Sequence, residues 1–339
     1  MTERPRVSLL IPVRDGRRWL DELLDSLGRS TETRWEAVFV DDGSTDGTAA
    51  RLDAAAAADP RVRALHRPAE GLVAALNAGL EACRAPLVAR LDADDRLAPE
   101  RLARQARMLE QTPSLALTTS AVRLFPESAV TDGMRRYADW LNSLDSEAAL
   151  RRDLFIESPL AHPGVMFRRD VILRLGGYRD FDGPEDYDLW LRLNEAGERM
   201  APCPGSVVWW RRHADQLTWR DPRYRPEAFL DLKLDVLLRT RLAGAEAIAI
   251  AGAGRDGKRA GRALRDRGLR IDCWFELNPR KLGRRIHGGE VLSYDALPKR
   301  RARLPHVLAV VGVPGARETI RRDFTAAGLV EERDFTCLA

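Results

Sequence analysis

The chain has 339 residues, which is enough for about two domains of ordinary size. Its hydrophobic content of 45% is that of a globular protein with a normal core, and the formal net charge of +4 is modest. No cluster of arginines alternates with aromatic residues, so the composition argues against a nucleic-acid-binding groove. The four cysteines are far apart and lack zinc-site spacing, which favours a reducing compartment.

No targeting or membrane-spanning segment is predicted. Residues 1–5 lack the apolar core of a signal peptide, and no apolar run approaches the ~18 residues that cross a bilayer. We therefore expect a cytoplasmic protein without a transmembrane segment. Peripheral attachment to a membrane surface through arginines stays open, and the sequence leaves the oligomeric state undetermined.

Strands and helices alternate through the first ninety residues. Strands are predicted at 7–12, 37–40, 62–65 and 87–91, and helices at about 19–28, from Thr45 or Asp46 to 58, and at 72–83. This alternation, with short connections, predicts a doubly wound α/β sheet in which ligands bind beyond the carboxyl ends of the strands. Asp41–Asp42 and Asp92–Asp95 both follow such strands, so we expect them to line one crevice.

The middle of the chain, from about 115 to 242, is less regular. The predicted strands are 115–124, 164–167 and 207–210, and the predicted helices are 135–152, 170–175, 186–195 and 222–242.

A second α/β unit begins near Ala245. A strand at 247–251 leads into Gly252-x-Gly254-x-x-Gly257 and a helix, and the next strand, 271–275, ends at Glu276. This is the context that the dinucleotide-binding fingerprint requires, since glycines let the backbone approach a pyrophosphate at a helix N-terminus. No constellation for hydride transfer follows it. A further strand is predicted at 308–311, before Gly312-Val313-Pro314-Gly315.

The segment Leu91-Asp92-Ala93-Asp94-Asp95 carries three carboxylates at the end of an apolar run. Hard cations such as Mg²⁺ and Mn²⁺ prefer oxygen ligands and share them with phosphate and water. The plain alternative is a solvated turn before the next helix, with Asp95 as its cap.

An ordered set of motifs resembles the family 2 glycosyltransferases, which have the GT-A fold. The resemblance covers residues 5 to about 220. The motifs are Leu10-Ile11-Pro12-Val13-Arg14-Asp15, Asp41-Asp42-Gly43-Ser44-Thr45-Asp46, Leu76-Asn77-Ala78-Gly79, Arg90-Leu91-Asp92-Ala93-Asp94-Asp95, His162-Pro163-Gly164, Gly176-Gly177-Tyr178 and Glu185-Asp186-Tyr187-Asp188-Leu189-Trp190.

The resemblance implies a nucleoside-diphosphate sugar as donor. The matching nucleotide-binding positions are Pro12, Val13, Asp41, Asp42, Asn77, Arg90 and Asp92. A carboxylate accepts hydrogen bonds from a uracil N–H or a ribose hydroxyl, although an Asx turn ahead of a helix is a serious alternative for Asp42. The role of Arg90 is open between a salt bridge and a diphosphate contact.

The resemblance also implies a divalent metal, Mn²⁺ or Mg²⁺, and a carboxylate base. Asp94 matches the direct metal ligand, Asp92 a second ligand or a ribose contact, and His213 a residue that completes the metal shell. Asp186 matches the general base of an inverting reaction, with Glu185 beside it to orient or bind the acceptor. The alternative for both is an acidic helix N-terminus that stabilises the helix dipole.

These inferences predict a GT-A doubly wound mixed sheet over residues 1–242, followed by a smaller Rossmann-like α/β domain over 243–339. The expected activity is hexosyl transfer from a nucleotide sugar, UDP-linked by preference, to a sugar or glycan acceptor. It would be non-processive, because the Gln-x-x-Arg-Trp element of processive synthases is missing. A dinucleotide or nucleotide in the C-terminal unit would use Gly252, Gly254, Gly257 and Glu276. The alternatives are a two-domain NAD-dependent oxidoreductase and a non-catalytic protein that binds nucleotide sugars.

Overall fold

The computed structural model describes residues 4–313 and 315–339, and over these residues the chain forms two compact units. The first unit runs to Arg151 and resumes over Pro159–Tyr224. The second comprises Arg152–Ser158 and Arg225–Ala339. Residues 225–242, which the sequence-based division assigned to the first domain, belong here to the second unit.

The first unit is built on a mixed sheet, as predicted. Its strands are β1 (Val7–Val13), β2 (Trp35–Asp42), β3 (Val62–Arg67), β4 (Leu87–Arg90), β5 (Arg96–Leu97), β6 (Leu115–Phe125), β7 (Val165–Arg168) and β8 (Arg199–Arg211). Over the described residues they lie in the order β3-β2-β1-β4-β7-β6-β8-β5. The pairs β3–β2, β2–β1 and β1–β4 are parallel, and β7 is antiparallel to both β4 and β6.

Helices cover this sheet. Those that begin in the first unit are α1 (Arg17–Gly28), α2 (Thr48–Ala58), α3 (Leu72–Ala82), α4 (Arg101–Gln111), α5 (Asp132–Ser143), α6 (Glu147–Asp153), α7 (Arg169–Arg174), α8 (Glu185–Glu195) and α9 (Leu217–Arg220). In α1, for example, the buried residues Leu20, Leu23 and Leu27 recur at helical spacing and so form one apolar face of the helix. Every residue of β1 and β4 is buried, as expected for strands with both faces covered.

The prediction of one continuous helix over 135–152 is wrong. The chain forms α5 and α6 with a break between them, because Ser146 starts a new helix. Its hydroxyl accepts a hydrogen bond from the Ala149 N–H at 3.2 Å, as an N-cap residue does.

The helix predicted at 222–242 starts later than expected. α10 (Pro226–Arg239) begins at a proline, which suits a first helical turn because its missing N–H would have no partner there. Residues 222–224 form a separate 3-10 turn.

The second unit also contains a mostly parallel sheet. Its strands are β9 (Ala247–Ala251), β10 (Arg270–Phe275), β11 (Arg285–Ile286), β12 (Gly289–Leu292), β13 (Val307–Ala309) and β14 (Phe335–Cys337), in the order β11-β12-β10-β9-β13-β14 over the described residues. Its helices after α10 are α11 (Arg255–Asp266), α12 (Leu297–Arg300) and α13 (Ala316–Ala326). Pro314 and residues 1–3, which belong to segments used in the sequence analysis, lie outside the described residues. Within the described chain, no helix combines the length and apolar character needed to cross a bilayer.

Candidate active site

The strand register of the first sheet brings the acidic segments to one edge. β1 and β2 are parallel, with Val13 opposite Asp41. β4 is also parallel to β1 and ends at Arg90, so Asp92–Asp95 follow at the same edge. β7 runs antiparallel to β4, and the 3-10 turn His162–Gly164 that precedes it therefore reaches this edge too.

Three carboxylates are clustered after β4. One oxygen each of Asp92, Asp94 and Asp95 lies within 4.8 Å of the others. Asp95 is buried; its Oδ1 accepts the Arg211 backbone N–H at 2.7 Å, whereas its Oδ2 has no hydrogen-bond partner in the described part of the chain. Burial and the charges of Asp94 and Asp92 raise the pKa of Asp95 well above its usual range. A cation at this point would reduce the repulsion between the three carboxylates and would give Asp95 Oδ2 a partner.

His213 contacts this cluster through Asp94. Its Nε2 lies 2.7 Å from Asp94 Oδ2, and the Asp215 backbone N–H donates to its Nδ1 at 3.1 Å. Because a backbone N–H can only donate, Nδ1 accepts, and Nε2 carries the proton that bonds Asp94. In this arrangement His213 orients Asp94. Metal ligation through Nε2 would require the proton to move to Nδ1 and the Asp215 bond to break.

A second acidic group, Glu185 and Asp186, forms the N-terminus of α8. Glu185 is buried; the Tyr224 hydroxyl donates to its Oε2 at 2.8 Å, and His162 Nδ1 lies 3.9 Å from its Oε1. Asp186 is partly buried and accepts the Tyr187 N–H at 2.6 Å. Burial and the adjacent Glu185 carboxylate raise the pKa of Asp186 to about 8. A carboxylate with this pKa accepts a proton more readily than an ordinary aspartate does.

Arg90 forms an ion pair with the first acidic group. It is only 2% exposed, and its Nη2 lies 2.7 Å from Asp92 Oδ1. Its positive charge also acts on Glu185 and Asp186, and lowers the pKa of each against the effect of burial. The 3-10 turn that carries His162 reaches the edge of the sheet where Asp92–Asp95 follow β4, and His162 lies 3.9 Å from Glu185, so the start of α8 approaches this edge too.

The aspartates at the end of β2 are both buried and hydrogen-bonded. Asp41 accepts the Ser44 N–H at 3.0 Å and lies 3.1 Å from His66 Nδ1. Asp42 accepts the N–H groups of Glu70 and Gly71, at 2.8 and 3.1 Å, and so fixes the loop that enters α3. The bonds to Asp42 join residues 28 and 29 positions apart, so they are not the Asx turn considered as its alternative; the local turn contact is the one from Ser44 to Asp41.

Pro12 and Val13 are buried at the end of β1, beside Asp41. Asn77, on α3, holds the backbone of Tyr178: its Nδ2 donates to the Tyr178 carbonyl at 2.8 Å, and its Oδ1 accepts the Tyr178 N–H at 2.9 Å. The Asn77 side chain thereby positions the loop that carries Tyr178.

The glycine-rich loop of the second unit has the close packing that its sequence predicts. Gly252 has a φ of +105°, and a Cβ there would lie 2.5 Å from the Val310 carbonyl oxygen. A Cβ on Gly257 would lie 1.9 Å from the Gly252 carbonyl oxygen. Both positions therefore require glycine for the fold itself. At Gly254, by contrast, a Cβ would meet no atom within 4 Å.

The carboxylate of Glu276 contacts this loop and already accepts hydrogen bonds within the protein. It accepts the Ala253 N–H at 3.2 Å, and Lys281 Nζ donates to it at 2.8 Å. A ribose hydroxyl would have to compete with Lys281 for this carboxylate.

Sequence reasoning overlooked several contacts of the site. It counted Asp95 among three clustered carboxylates but assigned it no ligand role and gave a helix cap as its alternative. His66 is the register partner of Asp41 on β3, and both residues lie at the ends of predicted strands. Tyr224 and Arg211 carried no signal, because they reach the acidic groups only through the tertiary fold.

The chain is similar to known proteins in sequence. Residues 8–176 match the family model described as "Glycosyl transferase family 2". The chain is 32% identical over 202 residues to the amylovoran biosynthesis glycosyltransferase AmsE of Erwinia amylovora, covering 59% of this chain and 73% of that protein. It is 29% identical over 191 residues to the O-antigen biosynthesis glycosyltransferase WbnJ of Escherichia coli, covering 56% and 72%.

Solved structures show the same fold. S. aureus TarS 1–349 in complex with UDP-GlcNAc aligns with a TM-score of 0.55 at 16% identity, covering 69% of this chain and 66% of that one. The mannosyltransferase PcManGT of Pyrobaculum calidifontis, in complex with GDP-Man and Mn²⁺, aligns with a TM-score of 0.53 at 20% identity, covering 78% and 80%. The predicted GT-A fold with a smaller second domain is thus confirmed.

Proposed function

Because the chain belongs to glycosyl transferase family 2, we propose that it moves one hexosyl group from a nucleoside-diphosphate sugar to a hydroxyl of a glycan or sugar acceptor, with inversion. The observation that carries the proposal is that the carboxylate cluster after β4 and the start of α8 reach one edge of the sheet, where His162 Nδ1 lies 3.9 Å from Glu185 Oε1. Asp92–Asp95 supply the donor side, and Asp186 with Glu185 supplies the acceptor side. The transfer is non-processive, since the chain lacks the Gln-x-x-Arg-Trp element.

Asp186 is the general base of this proposal. It takes the proton of the acceptor hydroxyl while that oxygen attacks the anomeric carbon from the face opposite the diphosphate. Its partial burial beside Glu185 favours proton uptake. Glu185, held by Tyr224, keeps the first turn of α8 in place, and its proposed role is to orient the acceptor hydroxyl.

The residues present fit a divalent cation. The cluster Asp92, Asp94 and Asp95 offers oxygen ligands only, and the buried, unpartnered Oδ2 of Asp95 is an available ligand atom. Asp94 and Asp92 would hold the ion, Asp95 Oδ2 would be a further ligand, and His213 would orient Asp94 or complete the shell. When bound, Mn²⁺ or Mg²⁺ would neutralise the charge of the leaving nucleoside diphosphate.

The nucleotide is proposed to lie beyond β1 and β2. Pro12 and Val13 would contact the base through their backbone and apolar side chains, and Asp41, the register partner of Val13, would accept a base N–H or ribose hydroxyl. Asp42 and Asn77 support this pocket through the loops they hold. A UDP-sugar is the first choice of donor; the UDP-GlcNAc and GDP-Man complexes of TarS and PcManGT are consistent with either base.

The second unit is proposed to bind a nucleotide at its glycine-rich loop. The observation that favours this is the glycine at position 254. No protein atom would contact a Cβ there, so the fold itself does not require glycine at this position, whereas a pyrophosphate that approached the backbone closely would. The hydride-transfer alternative is not adopted, because the family membership assigns the chain to the transferases.

A panel of UDP-, GDP- and dTDP-sugars tests the function. With Mn²⁺ present, the correct donor should stabilise the protein by about 2.7 kcal/mol at 100 times its Kd, and the anomeric proton of the product should show inverted configuration by NMR. The matched control is Asp94→Asn, which should lose the Mn²⁺-dependent part of the stabilisation. Stabilisation by none of the donors, or a product with retained configuration, would contradict the proposal.

A further inference from the structure

His162 and Glu185 face each other across a short gap at the start of α8. His162 Nδ1 lies 3.9 Å from Glu185 Oε1, which is longer than a hydrogen bond. An oxygen atom placed between them could form a hydrogen bond of about 2.8 Å with each, at an angle of about 90° between the two bonds. The gap therefore has the size of one bound hydroxyl group or water molecule.

The Tyr224 hydroxyl holds one oxygen of the Glu185 carboxylate. It donates to Oε2 at 2.8 Å, and this bond leaves Oε1 as the oxygen that faces His162. An ionised carboxylate only accepts hydrogen bonds, so Oε1 would take the proton of a hydroxyl group in the gap. The second contact to such a hydroxyl would come from His162, and it depends on which nitrogen of that ring is protonated.

The hydrogen bond between His162 and Tyr178 determines where the imidazole proton lies. His162 Nε2 lies 3.0 Å from the Tyr178 hydroxyl, and burial lowers the pKa of His162 well below its usual range, so the ring is neutral. Within the described part of the chain, the hydroxyl of the buried Tyr178 has no other hydrogen-bond partner, so Nε2 is the acceptor for its proton. The ring proton is then on Nδ1, which faces Glu185 Oε1 as a donor.

We propose that His162 Nδ1 and Glu185 Oε1 form a subsite for a second hydroxyl group of the acceptor, in addition to the one that Asp186 activates. The hydroxyl would accept a hydrogen bond from Nδ1 and would donate its own proton to Oε1. His162 and Glu185 are only 7% and 2% exposed, so the subsite admits a hydroxyl group and excludes a bulkier substituent such as an acetamido group. The inference rests on the proposed function and deepens it, because it assigns His162 to acceptor binding and requires an acceptor with two hydroxyl groups, as sugars have.

Imidazole ¹⁵N NMR on the full chain tests the subsite without turnover. The His162 signals are assigned by their loss in His162→Asn, and the probes are the methyl glycosides of glucose, galactose and mannose, added with UDP and Mn²⁺. We expect a neutral ring protonated at Nδ1 and a saturable shift of the Nδ1 signal with at least one probe. Tyr178→Phe should move part of the ring proton to Nε2. A ring protonated at Nε2, or an Nδ1 signal that no probe moves because water alone fills the gap, would overturn the proposal.

Transfer kinetics separate a binding role of His162 from a structural one. His162→Leu should raise the acceptor KM by about tenfold or more and leave the donor KM unchanged, since a hydrogen bond to the acceptor is lost. His162→Asn, whose amide can donate from near the Nδ1 position, should recover most of the acceptor affinity. His306→Leu is the control: it removes a partly buried histidine of the second unit, bonded to Thr336 at 2.9 Å, and should lower the melting temperature without changing the acceptor KM. If His162→Leu does not fold, Tyr178→Phe replaces it, with a smaller rise in the acceptor KM expected.

An acceptor KM that is unchanged in His162→Leu, or that rises equally in His306→Leu, would contradict the subsite. The two readouts also separate it from the proposed function. If a probe moved the Nδ1 signal but no sugar were transferred, the proposed function would fail and the subsite would stand. If transfer occurred and the Nδ1 signal stayed in place, the subsite would fail alone.

Discussion

The pKa of about 8 for Asp186 makes the protonation of this side chain the feature of the site most open to measurement. At neutral pH most of the group is protonated, so we expect the proposed transfer to increase as the pH rises through 8. After burial, the largest cause of the raised pKa is the adjacent Glu185 carboxylate.

Glu185→Gln should therefore move the acid limb of kcat/KM to lower pH. The substitution removes the negative charge that disfavours ionised Asp186, while the amide oxygen can still accept the Tyr224 hydrogen bond. The profile is measured with saturating Mn²⁺. Glu195→Gln, at the exposed far end of the same helix, serves as the control and should leave the limb unchanged. A limb that stays in place in Glu185→Gln would show that another group titrates.

Single residues were predictable where a local pattern carried the chemistry. The carboxylates of 92–95 were found because acids stood at a strand end, and those of 185–186 because they match a motif of the family that the chain resembles. The environment of Arg90 was not predictable, because its neighbours come from segments up to about ninety residues away. The hydrogen bonds that occupy Asn77 also depend on a distant loop.

At the scale of elements, the alternating strands and helices of the first ninety residues and the β9–loop–α11 motif followed from hydrophobic periodicity and glycine spacing. The break between α5 and α6 did not, because Ser146 ends one favourable helical sequence and caps another. β8 was predicted too short, since its first half pairs with β6 over residues of weak strand character.

Gly257→Ala tests the packing of the α11 entrance. The added Cβ would overlap the Gly252 carbonyl oxygen, so we expect a destabilisation of about 1–3 kcal/mol in the unfolding of the second unit. Gly254→Ala is the matched control. Its Cβ meets no atom, and the change should cost less stability while weakening any nucleotide bound at the loop. Equal destabilisation by the two substitutions would contradict this account of the loop.

At the scale of the whole molecule, the order of segments along the chain does not follow the division into units. Residues 152–158 lie between segments of the first unit, yet Phe155 stacks under Arg241 and Asp153 pairs with Arg321 at 2.5 Å, both within the second unit. Hydrophobic periodicity does not reveal that residues 152–158 belong to the second unit, because it indicates which residues are buried and not which segment they pack against.

A fragment of residues 1–242 should consequently be less soluble than the full chain and should bind a hydrophobic dye. Leu154 and Phe155 are 0% and 1% exposed in the full chain. The fragment lacks most of the second unit, so these two apolar side chains would become exposed to solvent. The same fragment with 152–158 replaced by a glycine–serine linker should bind less dye. A fragment 1–242 as soluble and dye-free as the full chain would support the domain boundary expected from the sequence.

The central claim is that two separate acidic groups perform different steps at one site. Donor binding and transfer, measured side by side for two variants, test it most directly. Asp186→Asn should bind the nucleotide sugar with Mn²⁺ as the unmodified chain does and lose transfer by about 10²–10⁴-fold, whereas Asp94→Asn should lose Mn²⁺-dependent donor binding. Transfer at the original rate by Asp186→Asn, or the same binding loss in both variants, would contradict the account.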